Sequence, residues 1–386
     1  MSGFGPDHLP YGVFSTPGSD PRVGVRLGDG VIDLAFETGL AHFAEPSLDA
    51  FLALGPDAWA DTRAEVTRIV TADSFELLPL ASVTLHLPFT VADYTDFYCS
   101  EHHASAVGRL FRPSADPDAD PLLPNWRHLP VGYHGRSGSV VVSGTPVARP
   151  RGQVAGPEGP SYGPTGKLDL EAELGFVVGA PTATGTTVAP RDVARHVFGV
   201  VGLNDWSARD VQAWEYRPLG PFLGKSFATS VSAWVTPLAA LTRAWVPLPG
   251  QSPEPLPHLA DTSRRPGLDV AVEVLVDGVV VSRPPYASTY WSPGQMLAHL
   301  TSNGAALRTG DLFASGTISG PDPEQAGSLL ELTHDGTRPL AAFAGRPDAD
   351  RTWLRDGDEV TLRFSAPGPT GGRLTLGEVT ALITPA

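Results

Sequence analysis

The sequence predicts a mainly β protein with a few helices. Its 386 residues include 42 glycines and 39 prolines spread along the chain, a composition typical of short strands joined by many turns. Several segments alternate apolar and polar residues, which is the pattern of a β-strand. Strands and helices do not follow each other in the βαβ order of a parallel sheet, and no internal repeat is found. A chain of this length can bury a large core, and we expect two domains.

The first 88 residues are expected to form a small separate unit. Its predicted strands are at 12–14, 22–26 and 31–34, and its predicted helices are at 47–54 and 58–70. Asp29-Gly30 favours a hairpin turn between the second and third strands. Ser47 or Asp49 could cap the first helix. Because no group of catalytic side chains occurs here, we expect this segment to serve packing or oligomerisation.

The second unit is expected to begin after Pro88, with a helix at 101–111 that Ser100 caps. His102 and His103 are adjacent, so on a helix their side chains point about 100° apart and at most one faces a given cleft. A single histidine is more often a surface or core residue than a base. His103, however, follows Asp96 by seven residues, and Asp96 is flanked by aromatic residues, which makes His103 a candidate base.

The segment 168–174, Leu-Asp-Leu-Glu-Ala-Glu-Leu, alternates strictly and predicts a half-buried strand. Asp169, Glu171 and Glu173 would then share one face, with neighbouring members about 7 Å apart. Carboxylates this close tend to hold protons unless a cation lies between them. The segment therefore indicates a cation site, and the alternative is a solvated outer face.

A further acidic residue follows a buried strand predicted at 198–203. Asp205 comes at the end of this strand, where a ligand can reach it, and Ser207 could cap the turn that carries Arg209 and Gln212. The alternative is a capped turn in which Arg209 simply pairs with a neighbouring acid.

The rest of the chain is predicted to be mainly strands and turns. Asp277-Gly278 favours a hairpin, and the Gly-rich segment 218–229 lacks the spacing of a phosphate-binding loop, so nucleotide binding is rejected. Glu331 is expected to be a solvated acid on a strand at 328–333. The other predicted elements are helices at 191–197 and 292–301 and strands at 139–142, 268–276, 279–282, 311–315, 360–364 and 374–383.

Composition narrows the classes of function. The net charge of −15 argues against binding nucleic acid or an anionic membrane surface. No apolar run approaches the ~20 residues that span a bilayer, and the N-terminal residues lack the pattern of a signal peptide. The single cysteine, Cys99, rules out an intrachain disulfide and a Cys-based zinc cluster, so we expect a cytoplasmic location. Lysine occurs only at 167 and 225, which suggests positions that need a compact, titratable ammonium group.

Four long segments resemble the fumarylacetoacetase family. They are Asp-Tyr-Thr-Asp-Phe-Tyr at 93–98, Leu-Pro-Val-Gly-Tyr-His-Gly at 129–135, Asn-Asp-Trp-Ser-Ala-Arg-Asp at 204–210 and Ala-Ser-Gly-Thr-Ile-Ser-Gly-Pro at 314–321. The likeness runs almost continuously from about residue 89 to the C-terminus. It implies an SH3-like barrel over 1–88 and a β-sandwich roll over 89–386. It also implies a homodimeric hydrolase that cleaves a carbon–carbon bond of fumarylacetoacetate to give fumarate and acetoacetate, at the end of tyrosine and phenylalanine breakdown.

The resemblance also assigns site residues by position. The residues that match ligands of a Ca²⁺ or Mg²⁺ ion are Asp96, Glu171, Glu173 and Asp205, with Lys225 and Thr229 at a second, Mg²⁺-type position. Those that match catalytic groups are His103, Glu331, Arg209, Gln212 and Lys225. Those that match substrate contacts are Tyr98, Arg112, Tyr133, Gln212, Tyr216 and Thr317.

The implied chemistry agrees with these residue types. Oxygen ligands, with neither Cys nor His required, suit Ca²⁺ or Mg²⁺, and a metal that chelates a 1,3-diketone stabilises the departing enolate. His103 would take a proton from water while Glu331 fixes its tautomer. Arg209, Gln212 and Lys225 would hold the charge that develops on oxygen.

Two alternatives stay open. One is another enzyme that uses the same metal–enolate chemistry, namely an acylpyruvate hydrolase, a decarboxylase, an isomerase or a hydratase. The other is a non-catalytic, β-rich, cation-binding interaction module. The presence of His103 with Glu331, and of Arg112 with Tyr133 and Tyr216, favours the full-length fumarylacetoacetate hydrolase, whose substrate is a small diketo acid.

Overall fold

β-Strands make up most of the regular structure in the computed structural model, which describes residues 3–116 and 118–386. The mainly β fold class with few helices is therefore confirmed. The strands up to the middle of the chain are β1 (Tyr11–Ser15), β2 (Arg22–Leu27), β3 (Gly30–Asp33), β4 (Leu77–Pro79), β5 (Thr84–His86), β6 (Asp93–Phe97), β7 (Gly132–His134), β8 (Val140–Val142), β9 (Val147–Ala148), β10 (Arg151–Val154), β11 (Ser161–Pro164), β12 (Leu168–Asp169) and β13 (Ala172–Val178).

The later strands are β14 (Val197–Asp205), β15 (Ser207–Ala208), β16 (Thr229–Val231), β17 (Trp234–Pro237), β18 (Trp245–Val246), β19 (Gly267–Leu268), β20 (Ala271–Val276), β21 (Val279–Ser282), β22 (Asp311–Ala314), β23 (Glu359–Pro367) and β24 (Arg373–Thr384). The helices are α1 (Leu34–Thr38), α2 (Asp49–Leu52), α3 (Pro56–Thr71), α4 (Glu101–Phe111), α5 (Val193–His196), α6 (Arg209–Glu215), α7 (Pro293–Thr301) and α8 (Leu329–Leu332). Every helix in the described ranges is too short or too polar to cross a membrane.

Two large sheets organise these strands. The larger has 13 strands, most of them in the order β4-β3-β2-β1-β17-β14-β13-β22-β6-β7, and the second has five in the order β21-β20-β23-β24-β9. Most pairs are antiparallel, whereas β6 with β22, β8 with β16, and β9 with β24 are parallel. The sheets approach closely, because a Cβ added at Gly202 of β14 would lie 2.3 Å from the ring of Phe364 in β23. Glycine at 202 therefore lets the two layers pack face to face.

The N-terminal strands continue the larger sheet. Tyr11 of β1 pairs with Val235 of β17, and His8 shares a 2.8 Å hydrogen bond with the Thr236 hydroxyl. Beside the pairing of β1 with β17, the Tyr11 ring stacks on Phe51 and contacts Phe198 edge-on. The ring centroids of both pairs lie within 5.4 Å. The N-terminal unit is thus fixed to the sheet by backbone pairing and an aromatic core. The domain boundary at residue 88 and the SH3-like barrel stay predictions.

Several local predictions are confirmed. Helix α4 begins after Ser100, whose hydroxyl accepts a hydrogen bond from the His103 amide. Asp277 and Gly278 form the turn between β20 and β21, with φ values of 50° and 73°, as a primed hairpin turn requires. Helix α7 begins after Ser292 with a complete capping box.

The segment 168–174 is not the half-buried strand that its alternation predicts. It is buried throughout and is divided between β12 and β13. β13 is hydrogen-bonded on both edges, to β14 and to β22, and lies inside the larger sheet. Since both faces of this central strand are covered, its acidic residues are buried instead of solvated.

The predicted strand at 328–333 is also wrong, because these residues form helix α8. Ser328 is its N-cap and accepts a hydrogen bond from the amide of Glu331. Ser-x-x-Glu is the sequence of a capping box, and this local signal outweighs the apolar β pattern. Glu331 is consequently buried and not solvated.

Three turn and cap predictions need smaller corrections. The β2–β3 turn is Gly28-Asp29 instead of Asp29-Gly30, because Gly28 supplies the positive φ of 57°. Ser207 does not cap α6, since its hydroxyl donates to the carbonyl of Asp205. Helix α2 is shorter than predicted and starts after Leu48 without a side-chain cap.

The buried His8 side chain predicts how the stability of the protein depends on pH. Burial lowers the pKa of His8 to about 3, so between pH 6.5 and 3 the unfolded chain binds a proton that the folded chain does not. The free energy of unfolding therefore decreases by about 1.4 kcal/mol for each pH unit that the pH falls through this window. We expect His8→Gln, which retains a partner for Thr236, to flatten the fall in unfolding free energy between pH 7 and 5.

Denaturant titrations across this range measure the slope for the parent and the variant. His128→Gln serves as the control, because His128 lies in an exposed turn. An unchanged slope in His8→Gln would contradict this role for the buried imidazole.

Gly316 gives a second test, because its backbone conformation is strained for any other residue. It follows β22 with a φ of 72°, and an added Cβ would lie 2.0 Å from the carbonyl oxygen of Phe97. We expect Gly316→Ala to lower the unfolding free energy by about 2 kcal/mol or more. The matched control is Gly250→Ala, where a Cβ meets nothing within 4 Å. Equal stability of both variants would refute the close approach.

Candidate active site

Four carboxyl groups converge at one end of the central strands. Asp96 comes from β6, Glu173 from β13 and Asp205 from the end of β14, while Glu171 lies in the break before β13. One oxygen of each lies within 4.8 Å of the others, and all four residues are buried. Antiparallel and parallel pairing of neighbouring strands brings together acids that are far apart in sequence. The four are those that the resemblance implies as metal ligands.

This cluster fits a divalent metal ion. Asp96 Oδ1 and both carboxylate oxygens of Glu173 are buried without a hydrogen-bond partner in the described part of the chain. Buried polar atoms are normally paired, so unpartnered oxygens at one point indicate a missing ligand. A set of carboxylate oxygens without sulfur or imidazole suits a hard cation such as Ca²⁺ or Mg²⁺.

Two buried cationic side chains reach the same cluster. The Lys225 ammonium lies 2.8 Å from Asp205 Oδ2 and also contacts Glu171. Arg209 donates from Nε to Asp169 Oδ2 at 2.7 Å, and its Nη2 lies 2.8 Å from Glu171 Oε1. Glu171 is therefore the acid with the strongest cationic surroundings.

The surroundings shift the pKa values of these carboxyl groups in different directions. Burial and the neighbouring Asp205 raise the pKa of Asp96 well above its usual value, and burial and Asp96 do the same for Glu173. Burial would also raise the pKa of Glu171, but Lys225 and Arg209 outweigh it and lower that pKa. Burial raises the pKa of Asp205 as well. Ionisation of three of the four acids is thus disfavoured on balance, and a divalent cation would favour their charged forms.

His103 and Glu331 form a buried pair beside the cluster. His103 Nδ1 lies 2.6 Å from Glu331 Oε2, and both side chains are almost inaccessible. Burial opposes ionisation of Glu331, but His103 and hydrogen bonds from two serines lower its pKa. An ionised Glu331 accepts a hydrogen bond from Nδ1–H of His103, which leaves Nε2 of the neutral ring as an acceptor. This is the arrangement of a general base with its orienting carboxylate.

Two serines that donate hydrogen bonds to Glu331 were not predicted from the sequence as site residues. Ser319 and Ser328 both donate to Glu331 Oε2, at 3.0 and 2.8 Å. The Ser-x-x-Glu pattern at 328–331 was the available signal for Ser328. Ser319 lies in an irregular segment after β22, and only the fold brings it to Glu331.

Asp169 differs from its predicted place on a shared acidic face. Besides binding Arg209, it accepts hydrogen bonds from the amides of Leu329 and Leu330, at 2.7 and 3.0 Å. The strand is interrupted between β12 and β13, so the alternation of side chains between two faces does not continue from Asp169 to Glu171. Asp169 therefore holds the start of α8 and orients Arg209, and it is not one of the four clustered acids.

The predicted substrate contacts fall into an inner and an outer group. In the inner group, Tyr133 donates to Asp205 Oδ2 at 3.2 Å, the Tyr98 ring lies edge-on to His103, and the Thr317 hydroxyl is buried without a partner among the described residues. In the outer group, Arg112 donates to the carbonyl of Pro121, and Tyr216 packs against Phe111 with ring centroids 6.2 Å apart.

Two further predicted residues make contacts with the charged cluster. Thr229 donates to Asp205 Oδ1 at 3.0 Å, and Gln212 Oε1 accepts from Arg209 Nη1 at the same distance. A cavity of about 210 Å³ opens beside Thr229 and Lys225. Tyr94 also lines it; its buried hydroxyl has no hydrogen-bond partner in the described ranges and was not singled out from the sequence.

The fold and this site define a hydrolase of the fumarylacetoacetate hydrolase type. A family model described as "Fumarylacetoacetate (FAA) hydrolase C-terminal" matches residues 93–381, and one described as "Fumarylacetoacetase N-terminal" matches residues 7–88. The chain belongs to the fumarylacetoacetase family, as its motifs predicted.

Relatives resemble the chain over its whole length. Fumarylacetoacetase of Rattus norvegicus is 43% identical over 100% of this chain and 97% of its own. The Homo sapiens fumarylacetoacetase is 43% identical over 98% and 96%, and that of Oryza sativa is 41% identical over 98% and 94%. The identification of the chain as an enzyme and a hydrolase is thereby confirmed.

Solved structures share the fold at low sequence identity. Fumarylacetoacetate hydrolase of Exiguobacterium antarcticum matches with a TM-score of 0.59 at 18% identity, over 98% of this chain and 100% of its own. Maleylpyruvate hydrolase of Sphingobium, solved with manganese(II) and pyruvate, matches with a TM-score of 0.56 at 15% identity, over the same shares. These two similarities concern the fold alone.

A substitution in the cluster can test its affinity for metal. Asp96→Asn removes a ligand charge, so we expect Ca²⁺ and Mg²⁺ to bind at least about 100-fold more weakly in calorimetric titrations. Because burial disfavours the charged form of Asp96, the same variant should unfold at nearly the parent temperature once metal is removed. Asp350→Asn, at a surface carboxylate 84% exposed, is the control. Unaltered metal affinity in Asp96→Asn would contradict the assignment.

Proposed function

We propose that this chain hydrolyses 4-fumarylacetoacetate to fumarate and acetoacetate, the last step of tyrosine and phenylalanine breakdown, with Ca²⁺ or Mg²⁺ as its metal. The observation that carries the proposal is the arrangement of the site. Four buried carboxyl groups lie beside the paired His103 and Glu331, and two of the four have oxygens without a partner among the described residues. Identity of 43% to fumarylacetoacetases over the full chain supports the choice of substrate.

The metal site would be formed by Asp96, Glu171, Glu173 and Asp205. A bound divalent cation would polarise the 1,3-diketone and favour departure of the enolate as the carbon–carbon bond breaks. All four ligands come from strand ends or the adjoining break. A site on paired strands is held more rigidly than one on loops, which favours a fixed substrate orientation.

His103 would remove a proton from the attacking water through Nε2. Its Nδ1 is occupied by Glu331 at 2.6 Å, so the tautomer and the ring orientation are set before substrate arrives. The hydroxyl of this water would add to the fumaryl carbonyl carbon, the carbon–carbon bond to the acetoacetate part would then break, and the proton held by His103 would pass to the departing acetoacetate carbon. Glu331 would stabilise the intervening imidazolium through its negative charge.

Arg209, Lys225 and Gln212 would stabilise the oxyanion that forms on the attacked carbonyl. The two cations already lie within the cluster, and Gln212 is hydrogen-bonded to Arg209 at 3.0 Å. Charged donors held in a buried site need little reorganisation as charge develops. Tyr98, Tyr133 and Thr317 would bind the substrate in the interior, while Arg112 and Tyr216 would bind its outer carboxylate end.

We also propose a homodimer and a cytoplasmic location for the enzyme. The resemblance to fumarylacetoacetases supports the dimer. The single, buried, free cysteine agrees with a reducing compartment, where structural disulfides are rare.

Turnover of purified, metal-replete protein is the direct test. We expect loss of the diketone absorbance of fumarylacetoacetate with formation of fumarate, suppressed by EDTA and restored by Mg²⁺ or Ca²⁺. Cleavage of acylpyruvates without cleavage of fumarylacetoacetate would instead assign the sister activity. Absence of cleavage of either would favour the non-catalytic cation-binding module.

The base is tested by exchanging adjacent histidines. We expect His103→Ala to lower kcat by about 10²–10⁴-fold, since general acid–base catalysis contributes that much. His102→Ala is the matched control, because His102 is the next residue on α4 and its side chain makes no hydrogen bond within residues 3–116 and 118–386. Near-full turnover in His103→Ala would refute the base assignment.

A further inference from the structure

A second cavity, of about 460 Å³, lies at the seam between the N-terminal unit and the larger sheet. Its walls come from β1, α3, α5 and the segments 237–245 and 261–266. None of the acids of the candidate active site lines it. Its volume falls in the range of small-molecule sites, about 300–1,000 Å³. We refer to it as the seam cavity.

The walls of the seam cavity are largely apolar and aromatic. Trp59, Phe198 and Trp245 line it together with Leu238. Tyr11 also lines it, and its hydroxyl is buried without a hydrogen-bond partner among the described residues. Leaving a buried hydroxyl unpaired costs about 1–3 kcal/mol. A ligand oxygen at this point would accept its hydrogen bond.

Charge around the seam cavity is opposite in sign to that of the whole protein. Arg63, Arg191 and Arg265 line it against one acid, Asp261. Asp261 already accepts hydrogen bonds from Ser263 and, at 3.2 Å, from Ser292. The net charge of the chain is −15, so three arginines around one apolar cavity form a local positive region that attracts anions.

Arg63 is the least exposed of the three arginines, and it already donates hydrogen bonds to the backbone. It donates to the carbonyls of His8 and Asp7, at 3.0 and 2.6 Å, and it lies close enough to Tyr11 to act electrostatically on the phenol. Arg191 and Arg265 are exposed and make no ion pair within the described ranges. They are therefore available to a ligand at the mouth of the cavity.

We propose that the seam cavity binds a small organic anion with an aromatic body and a carboxylate or sulfonate group. The ring would lie against Trp59, Phe198 and Trp245, and the acid group would face the arginines. The site is separate from the proposed hydrolysis and does not depend on it. Because the ligand contacts both α3 and α5, binding joins the N-terminal unit to the larger sheet and raises the unfolding temperature.

The probe for this site is 8-anilinonaphthalene-1-sulfonate, tested on the full, metal-replete chain. We expect saturable binding at one site per chain, measured by fluorescence and calorimetry, together with a rise in unfolding temperature. The neutral analogue N-phenyl-1-naphthylamine should bind at least about tenfold more weakly, because it lacks the charge. Non-saturable binding, or equal affinity for the two probes, would overturn the proposal.

Variants then locate the bound probe. Ala60 lines the seam cavity on α3 and is exposed, so Ala60→Phe fills the cavity and should weaken binding at least about tenfold. Ala64→Phe, one turn further along the same helix and outside the cavity, is the control. Retention of full affinity in Ala60→Phe would place the probe elsewhere and refute the site.

The arginines are tested separately from the cavity volume. The double variant Arg191→Gln, Arg265→Gln should weaken the sulfonate at least about tenfold and leave the neutral analogue unchanged. Arg195→Gln removes a nearby surface charge that does not line the cavity and is the control. Equal weakening by the control, or no weakening by the double variant, would contradict recognition by these two arginines. Hydrolytic turnover serves as a check that each variant folds.

Discussion

Compensation of buried negative charge is the constraint on which the site depends. Four carboxyl groups within 4.8 Å of one another would repel strongly in a dry interior. Lys225 joins Asp205 to Glu171, and Arg209 joins Glu171 to Asp169. Removing one partner of such a buried pair leaves an uncompensated charge and costs about 3–5 kcal/mol. The two cations contact Asp169, Glu171 and Asp205, whereas Asp96 Oδ1 and both Glu173 oxygens have no hydrogen-bond partner in the described part of the chain.

The same charge network reaches His103 and Glu331 through Asp169. This carboxylate binds Arg209 on one side and, on the other, accepts the first amides of α8. Since Glu331 lies in the first turn of α8, the position of the helix sets the position of the carboxylate that orients His103. Asp169 thus joins Arg209, which contacts Glu171, to the start of α8, so we expect a change at Asp169 to alter the positions of both Arg209 and Glu331.

Sequence patterns predicted the parts of this arrangement that are set locally. Ser100 caps α4 and Asp277-Gly278 forms a hairpin because neighbouring residues alone determine both. The family motifs predicted the four acids and His103 as site residues, and the fold brings the four acids together. Burial of the 168–174 segment could not be read from its alternation, because it depends on β14 and β22, which are distant in sequence. Similarly, the hydrogen bond from Ser319 to Glu331 exists only because the fold brings an irregular segment to α8.

The choice of lysine at position 225 follows from the geometry of the cluster. The chain has 27 Lys and Arg residues, yet only two are lysines. A guanidinium is planar and binds carboxylates in a fixed fork, as Arg209 does with Asp169 and Glu171. An ammonium is a compact charge on a flexible stem, so Lys225 can contact Glu171 and Asp205, which come from different segments, without needing a common plane. Arg209, by contrast, is held in place by its hydrogen bond to Asp169. The two cations therefore compensate neighbouring acids in different ways, one through a compact charge and the other through a planar fork.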